Sequence, residues 1–147
     1  MPFSVTHQDI TGMHVDAIVN AANTDLMMGG GVCGAIFRAA GANRMQTACN
    51  RLSPIRTGEA AITPGFDLPA KYVIHTAGPV WHGGDHDEEQ LLRACYRNCL
   101  AIASVHNCKS IAFPLISAGI YGYPKTEAQD VAEDEIQIWL ADIGMDL

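Results

Sequence analysis

Positive charge is scarce in this sequence. Nine Lys and Arg stand against sixteen Asp and Glu, a formal net charge of −7, and the nine are scattered along the chain. A protein that grips nucleic acid needs a basic face to neutralise phosphates, so no nucleic-acid partner is expected. Long apolar runs are missing too. None reaches the roughly 18 residues of a membrane-crossing helix. The opening MPFSVTHQDI lacks the basic-then-apolar order of a secretory leader. A cytoplasmic chain without a membrane partner is expected.

Metal and disulfide signals are also lacking. The five cysteines, Cys33, Cys49, Cys95, Cys99 and Cys108, are odd in number and form no CxxC pair. They read as reduced, mostly buried thiols. His82 and His86 flank a Gly-Gly pair rather than forming a helical H-E-x-x-H, so no metal and no cofactor is expected. Gly29, Gly31 and Gly34 satisfy G-x-G-x-x-G, but residues 21–28 separate them from the preceding strand. No acid stands at a strand end near position 54, and no G-K-[ST] follows. A dinucleotide-binding Rossmann unit and a P-loop are both excluded.

What is present fits one folded domain: 147 residues, 48% hydrophobic and 17% charged. Short apolar runs alternate with helical patterns, the mark of an α/β domain with a mostly parallel or mixed sheet. Strands are expected at residues 3–8, 17–20, 59–63, 71–76 and 110–115. Helices are expected at 32–40 and 42–52, then from Asp85 or Asp87 as the cap, and finally at 125–140. The last helix presents Ala128, Val131, Ala132, Ile136, Trp139 and Leu140 on one face, with Glu135 as the polar exception. Trp81 and Trp139 read as packing residues.

Two loops carry the chemistry. Residues 15–41, VDAIVNAANTDLMMGGGVCGAIFRAAG, read as a buried strand, two asparagines in a small-residue turn, and a glycine run opening a helix. Residues 117–122, SAGIYG, lie between another buried strand and a helix. Glycines let a ligand approach the backbone closely, and the ends of parallel strands are where α/β sheets bind ligands. Two such loops can clamp a diphosphate with N–H groups and helix N-termini. That route suits a chain short of cationic side chains. Asn20 and Asn23 can serve sugar hydroxyls or simply hold their own turn; Asn20 reads as the structural one and Asn23 as the one that meets ligand. Asp9 can accept from an exocyclic amine or cap a turn, and Tyr121 can stack on a sugar.

VDAIVNAAN, GGGVCGAIFRAAG, LPAKYVIHTAGPVW and FPLISAGIYGYP, in this order and spacing, resemble the macro domain family over nearly the whole chain. The closest likeness is to the branch that removes ADP-ribose from proteins and deacetylates O-acetyl-ADP-ribose. The resemblance implies a three-layer α/β/α sandwich with a mixed, mostly parallel sheet. It implies ADP-ribose, or an ADP-ribosylated protein, as the partner of a monomer. Asp9 and Ile10 would meet the adenine. Asn23 would hold the distal ribose, and Gly30, Gly31, Val32 and Cys33 would line the diphosphate and that ribose. Ser117, Ala118, Gly119, Ile120 and Tyr121 would wrap the diphosphate. Asn20, Asn23 and Cys33 would be the positions that bear on the reaction.

Two departures from the family pattern matter. The hydrolytic branch usually has Asp where this chain has Cys33, and often His where it has Phe37. An unshifted thiol titrates near about 8.5 and is a poor base. Macro domains of the alphavirus type share the G-V-C and are regarded as hydrolases, the substrate's own phosphate helping to activate water. Cys33 is then a pocket wall, not a nucleophile. The expected function is hydrolysis of ADP-ribosyl esters; the alternative is a module that reads ADP-ribose without cleaving it. The family also adds a strand after the last helix, and residues 141–147 end about where it would begin. The single domain over 1–147 is therefore expected to lack its final strand, leaving a sheet edge open, with weaker stability and adenine binding.

Overall fold

The computed structural model describes residues 3–143. Among these are four strands and four α-helices, in the order β1 (Ala17–Ala22), α1 (Gly31–Ala40), α2 (Ala42–Asn50), β2 (Ala60–Pro64), β3 (Tyr72–Ala77), α3 (Glu88–Val105), β4 (Ile111–Ala112) and α4 (Lys125–Ile143). The sheet order is β2-β3-β1-β4. β1 runs parallel to β3 and to β4, and β2 is antiparallel to β3. The sheet is mixed and mostly parallel, as expected.

Two apolar layers cover it. The strand period of two sends alternate side chains to opposite faces. Ala17 and Val19 of β1 pack with Leu92, Cys95, Tyr96 and Cys99 of α3 and with Ala128 and Val131 of α4. Ile18 and Ala22 pack with Ile36, Phe37 and Ala40 of α1 and with Met45 and Cys49 of α2. Because both faces of β1 are covered, the strand is continuously apolar except at Asn20. β2 ends on Pro64, which an edge strand tolerates. Gly41, at φ 106°, closes α1 and opens α2, so one glycine turns the chain between them.

Several expectations are corrected. Residues 3–8 form no strand among the described residues; the segment is largely exposed, and only Phe3 packs against the α3–α4 core. A period-two pattern makes a strand only when a neighbour takes its backbone hydrogen bonds. Of residues 110–115, only Ile111 and Ala112 pair, with β1. Asp87 stands at the α3 N-cap but its side chain makes no capping bond. Glu88 holds this corner instead, accepting from the N–H groups of His82, Gly84 and His86 at 2.7, 3.0 and 2.6 Å. Burial opposes its charge, and those three donors outweigh it, holding the carboxyl down at about 2. Glu135, the polar residue on the α4 face, meets Arg93 at 3.3 Å and Arg97 at 3.8 Å of α3. Arg93 also bonds Glu89 and Asp134, so one guanidinium ties α3 to α4. The end of the chain lies outside the described residues from 144 onward.

Candidate functional site

The two glycine loops leave the C-terminal ends of β1 and β4, which are adjacent and parallel, and so emerge side by side at one sheet edge. The first loop is built by its own backbone and by α2. The Asn23 side chain donates from Nδ2 to the Met27 carbonyl at 2.9 Å and accepts the Met27 N–H at 3.0 Å, closing a tight turn. Gln46 of α2 accepts the Met28 N–H at 2.9 Å and donates to the Leu26 carbonyl at 3.0 Å. The Ile55 N–H donates to the Thr24 carbonyl.

Glycine is required where this loop becomes α1. Gly31 sits at φ +56°, in the left-handed region. A Cβ on Gly34 would lie 2.5 Å from the Gly29 carbonyl oxygen, closer than atoms can approach. The α1 N-cap is Gly30, with no side chain to satisfy the helix start. The N–H groups of Gly31, Val32 and Cys33 therefore have no intrahelical acceptor, and Gly30, Gly31 and Val32 are exposed. An anion is the natural partner for such a terminus.

The second loop folds on itself. The N–H of Gly122 donates to the Gly119 carbonyl and that of Tyr123 to the Ser117 carbonyl. Among the described residues, the N–H groups of Gly119, Ile120 and Tyr121 make no such bond. Ala118 and Tyr121 are half-buried, while Ile120, 94% exposed, projects at the tip. Ser117 takes φ +67° and is buried, its Oγ without a partner. The base of the loop is pinned by Tyr96 of α3, whose hydroxyl accepts the Ile116 N–H at 3.2 Å and donates to the Pro114 carbonyl.

Asp9 caps the short 3-10 turn Ile10–Gly12, accepting from the Thr11 N–H and hydroxyl at 3.0 and 2.7 Å. The hydroxyl first and the N–H second hold its carboxyl below the usual range. Ile10 packs on the α1–α2 core. The turn thus lies beside α1, with the Asp9 carboxylate exposed.

Beneath the first loop, the structure separates the two asparagines. Asn20, expected among the residues of the reaction, is fully buried. Its Nδ2 contacts His75 Nδ1 at 3.0 Å and Cys33 Sγ at 3.6 Å, so it does not meet ligand directly. Asn23 is half-buried; the turn uses one N–H and one lone pair of its amide, leaving the others. Cys33 is 7% exposed and directs its thiol to the Met27 carbonyl at 3.8 Å. Its other partner is Asn20 Nδ2, and it touches no base. A Cys–His contact does exist, between Cys49 Sγ and His75 Nε2 at 3.8 Å. Burial pushes the Cys49 thiol up to about 11 and the His75 ring down to about 4, so both stay neutral and no thiolate–imidazolium pair forms. Gln46, Tyr96 and His75 carry no local sequence signal of these roles; each acts across a long span of chain. A separate cavity of about 530 Å³ lies behind Trp81, between Glu89 and Arg93 of α3 and Glu127, Asp130 and Asp134 of α4. It is acid-lined, includes neither glycine loop, and suits no diphosphate.

The chain is similar to known proteins over most of its length. A Macro domain-containing protein of Chlorobaculum tepidum is 58% identical over 134 residues, 91% of this chain and 77% of that protein. A Salmonella typhimurium protein named O-acetyl-ADP-ribose deacetylase is 54% identical over 132 residues, 87% of this chain and 73% of its own. The Trypanosoma brucei macrodomain, solved in complex with ADP-ribose, superposes with a TM-score of 0.83 at 42% identity, covering 91% of this chain and 55% of that one. The sequence profile of the Macro domain matches residues 19–132, and the chain belongs to the Macro domain family.

Proposed function

We propose that the cleft binds ADP-ribose and hydrolyses esters on its distal ribose, either the acetyl ester of O-acetyl-ADP-ribose or the link to an acidic protein side chain. One observation carries the reading. Two sets of unpaired backbone N–H groups, at the α1 start and at Gly119, Ile120 and Tyr121, open at neighbouring strand ends. Together they offer an elongated anion partial positive charge without a cationic side chain. Asp9 and Ile10, beside α1, suit the adenine end, and the free N–H and lone pair of Asn23 suit ribose hydroxyls at the other. Relatives named as O-acetyl-ADP-ribose deacetylases, and macrodomains solved with ADP-ribose, support the assignment.

In this reading the chain supplies positioning and electrostatics rather than a base. The amides hold the diphosphate, Asn23 orients the ribose, and the Cys33 thiol walls the ester end. His75 is buried and neutral, so it takes no proton from the cleft. A water is activated by the substrate's own phosphate.

The second reading is a module that binds ADP-ribose without turnover. It is favoured by Cys33, whose sulfur stands where a carboxylate would orient water and is already occupied by Asn20 and the Met27 carbonyl. Incubation with O-acetyl-ADP-ribose and with a mono-ADP-ribosylated protein, beside Asn23→Ala, separates the two. Turnover lost in the variant supports the hydrolase. Tight calorimetric binding with no turnover supports the reader, and absence of binding rejects both.

A further inference from the structure

Asn20 and His75 face each other in the register of β1 and β3, both on the α1–α2 side and both fully buried. The hydrogen-bond chemistry between them fixes the ring. Asn20 Nδ2 can only donate, so His75 Nδ1 accepts it at 3.0 Å and the ring proton sits on Nε2. That N–H donates to Thr63 Oγ1 at 3.0 Å, and the threonine hydroxyl donates onward to Met45 Sδ at 3.4 Å. Cys49 Sγ lies 3.8 Å from the same Nε2, a longer and weaker contact that the ring N–H faces beside Thr63.

The chain continues toward the cleft. The second Nδ2 hydrogen of Asn20 goes to Cys33 Sγ, and the Cys33 thiol goes to the Met27 carbonyl. That carbonyl also accepts from Asn23, and the Met27 N–H returns to Asn23 Oδ1. The Asn20 amide is held only through its nitrogen, because its Oδ1 is buried without a partner. A buried acceptor in that state favours any rotation that would satisfy it. What prevents rotation is the pair of acceptors, His75 Nδ1 and Cys33 Sγ.

We propose that His75 is a positioning residue of the cleft: as a neutral ring protonated on Nε2 it fixes the Asn20 amide, and through Cys33 and the Met27 carbonyl it fixes the attitude of Asn23. The catalytic consequence rests on the reading above, in which Asn23 meets the distal ribose. The structural consequence does not.

Two substitutions separate positioning from packing. His75→Asn places an amide oxygen near the Nδ1 position and keeps an acceptor for Asn20 while losing the bond to Thr63. His75→Gln reaches the Nε2 position, keeps a donor for Thr63 and loses the acceptor for Asn20. Both leave space in the core and both lower the melting temperature. Amide hydrogen exchange at the Met27 N–H needs no ligand and reads the attitude of Asn23. Its protection is expected to fall about ten-fold in His75→Gln and to hold in His75→Asn. Hydrolysis of O-acetyl-ADP-ribose follows the same order, through kcat more than KM. Equal Met27 protection in the two variants overturns the proposal. If the unaltered chain binds no ADP-ribose, the functional reading fails, and the exchange result still decides the role of His75. Should neither histidine variant fold, Cys33→Ala cuts the same chain one bond further on; unchanged Met27 protection there overturns it.

Discussion

The Trp81 N–H donates to the Tyr121 carbonyl at 2.8 Å, joining the loop after β3 to the loop after β4. Three residues upstream, Gly78 lies directly beneath the second loop: a Cβ there would fall 2.2 Å from Ser117 Oγ and 2.6 Å from Ile116 Cγ2. The second glycine loop is thus seated on the end of β3 as well as on its own strand.

Gly78→Ala is expected to lift that loop. Overpacking of this kind costs about 1–3 kcal/mol. Urea denaturation should show that loss, and calorimetry should show ADP-ribose affinity weakened about ten-fold or more, since a displaced amide set no longer converges on the phosphates. Wild-type stability and affinity in the variant would mean that the loop is not seated on Gly78.

Tyr96→Phe removes the hydroxyl that accepts the Ile116 N–H. The N–H is left buried and unpaired, for an expected loss of about 1–3 kcal/mol. Exchange of the Ile116 amide should accelerate, and ADP-ribose binding should weaken with little change at the Asn23 end. An unaltered Ile116 exchange rate would contradict the pin.

Gly119→Glu tests the clamp without testing the fold. Nothing lies within 4 Å of a Cβ at Gly119, and the residue is exposed. The melting temperature should stay within a degree or two of the original, roughly as for any free surface position. ADP-ribose binding should fall below detection because a carboxylate then faces the diphosphate. Gly119→Ala is the neutral control and should still bind. Full binding by the Glu variant would remove this loop from the site.

Stability should depend on pH through His75. Its ring titrates near 6.5 when unfolded and is depressed by burial to about 4 in the fold. Between these values the unfolded chain binds more protons, so stability rises with pH and is lost as pH falls from about 6.5 toward 4. The full effect is of order 3 kcal/mol. Glu88, held down at about 2, adds a further loss only below its ordinary value of 4.5. Urea midpoints at pH 7.5 and 5.0 should therefore differ, and His75→Gln should flatten that interval. A slope that persists in the variant would place the titrating group elsewhere.

Much of this architecture is readable one segment at a time. Among the described residues, β1, β2, β3 and the four helices lie within a few residues of where short apolar runs and helical spacing put them, because both patterns are set by near neighbours. The two glycine loops are readable for the same local reason, since glycine favours the left-handed backbone found at Gly31. Residues 3–8 show the limit. Their alternation is that of a strand, yet no partner completes a ladder among the described residues. The cap expected at Asp85 or Asp87 shows it again: the local rule names an N-cap carboxylate, while the corner is held by Glu88 reaching back to three loop amides.

The sequence alone determined the alternation of strand and helix, the glycine loops that suit an anion, and the motif order that places the chain among macro domains. Tertiary structure alone decided that Asn20 meets His75 across 55 residues of chain, that Tyr96 holds the second loop, and that Gly78 lies beneath Ser117. Side-chain period and turn chemistry are local properties, whereas strand register and close approach exist only once distant segments have packed. The groups that aim the cleft are therefore invisible until the sheet is assembled.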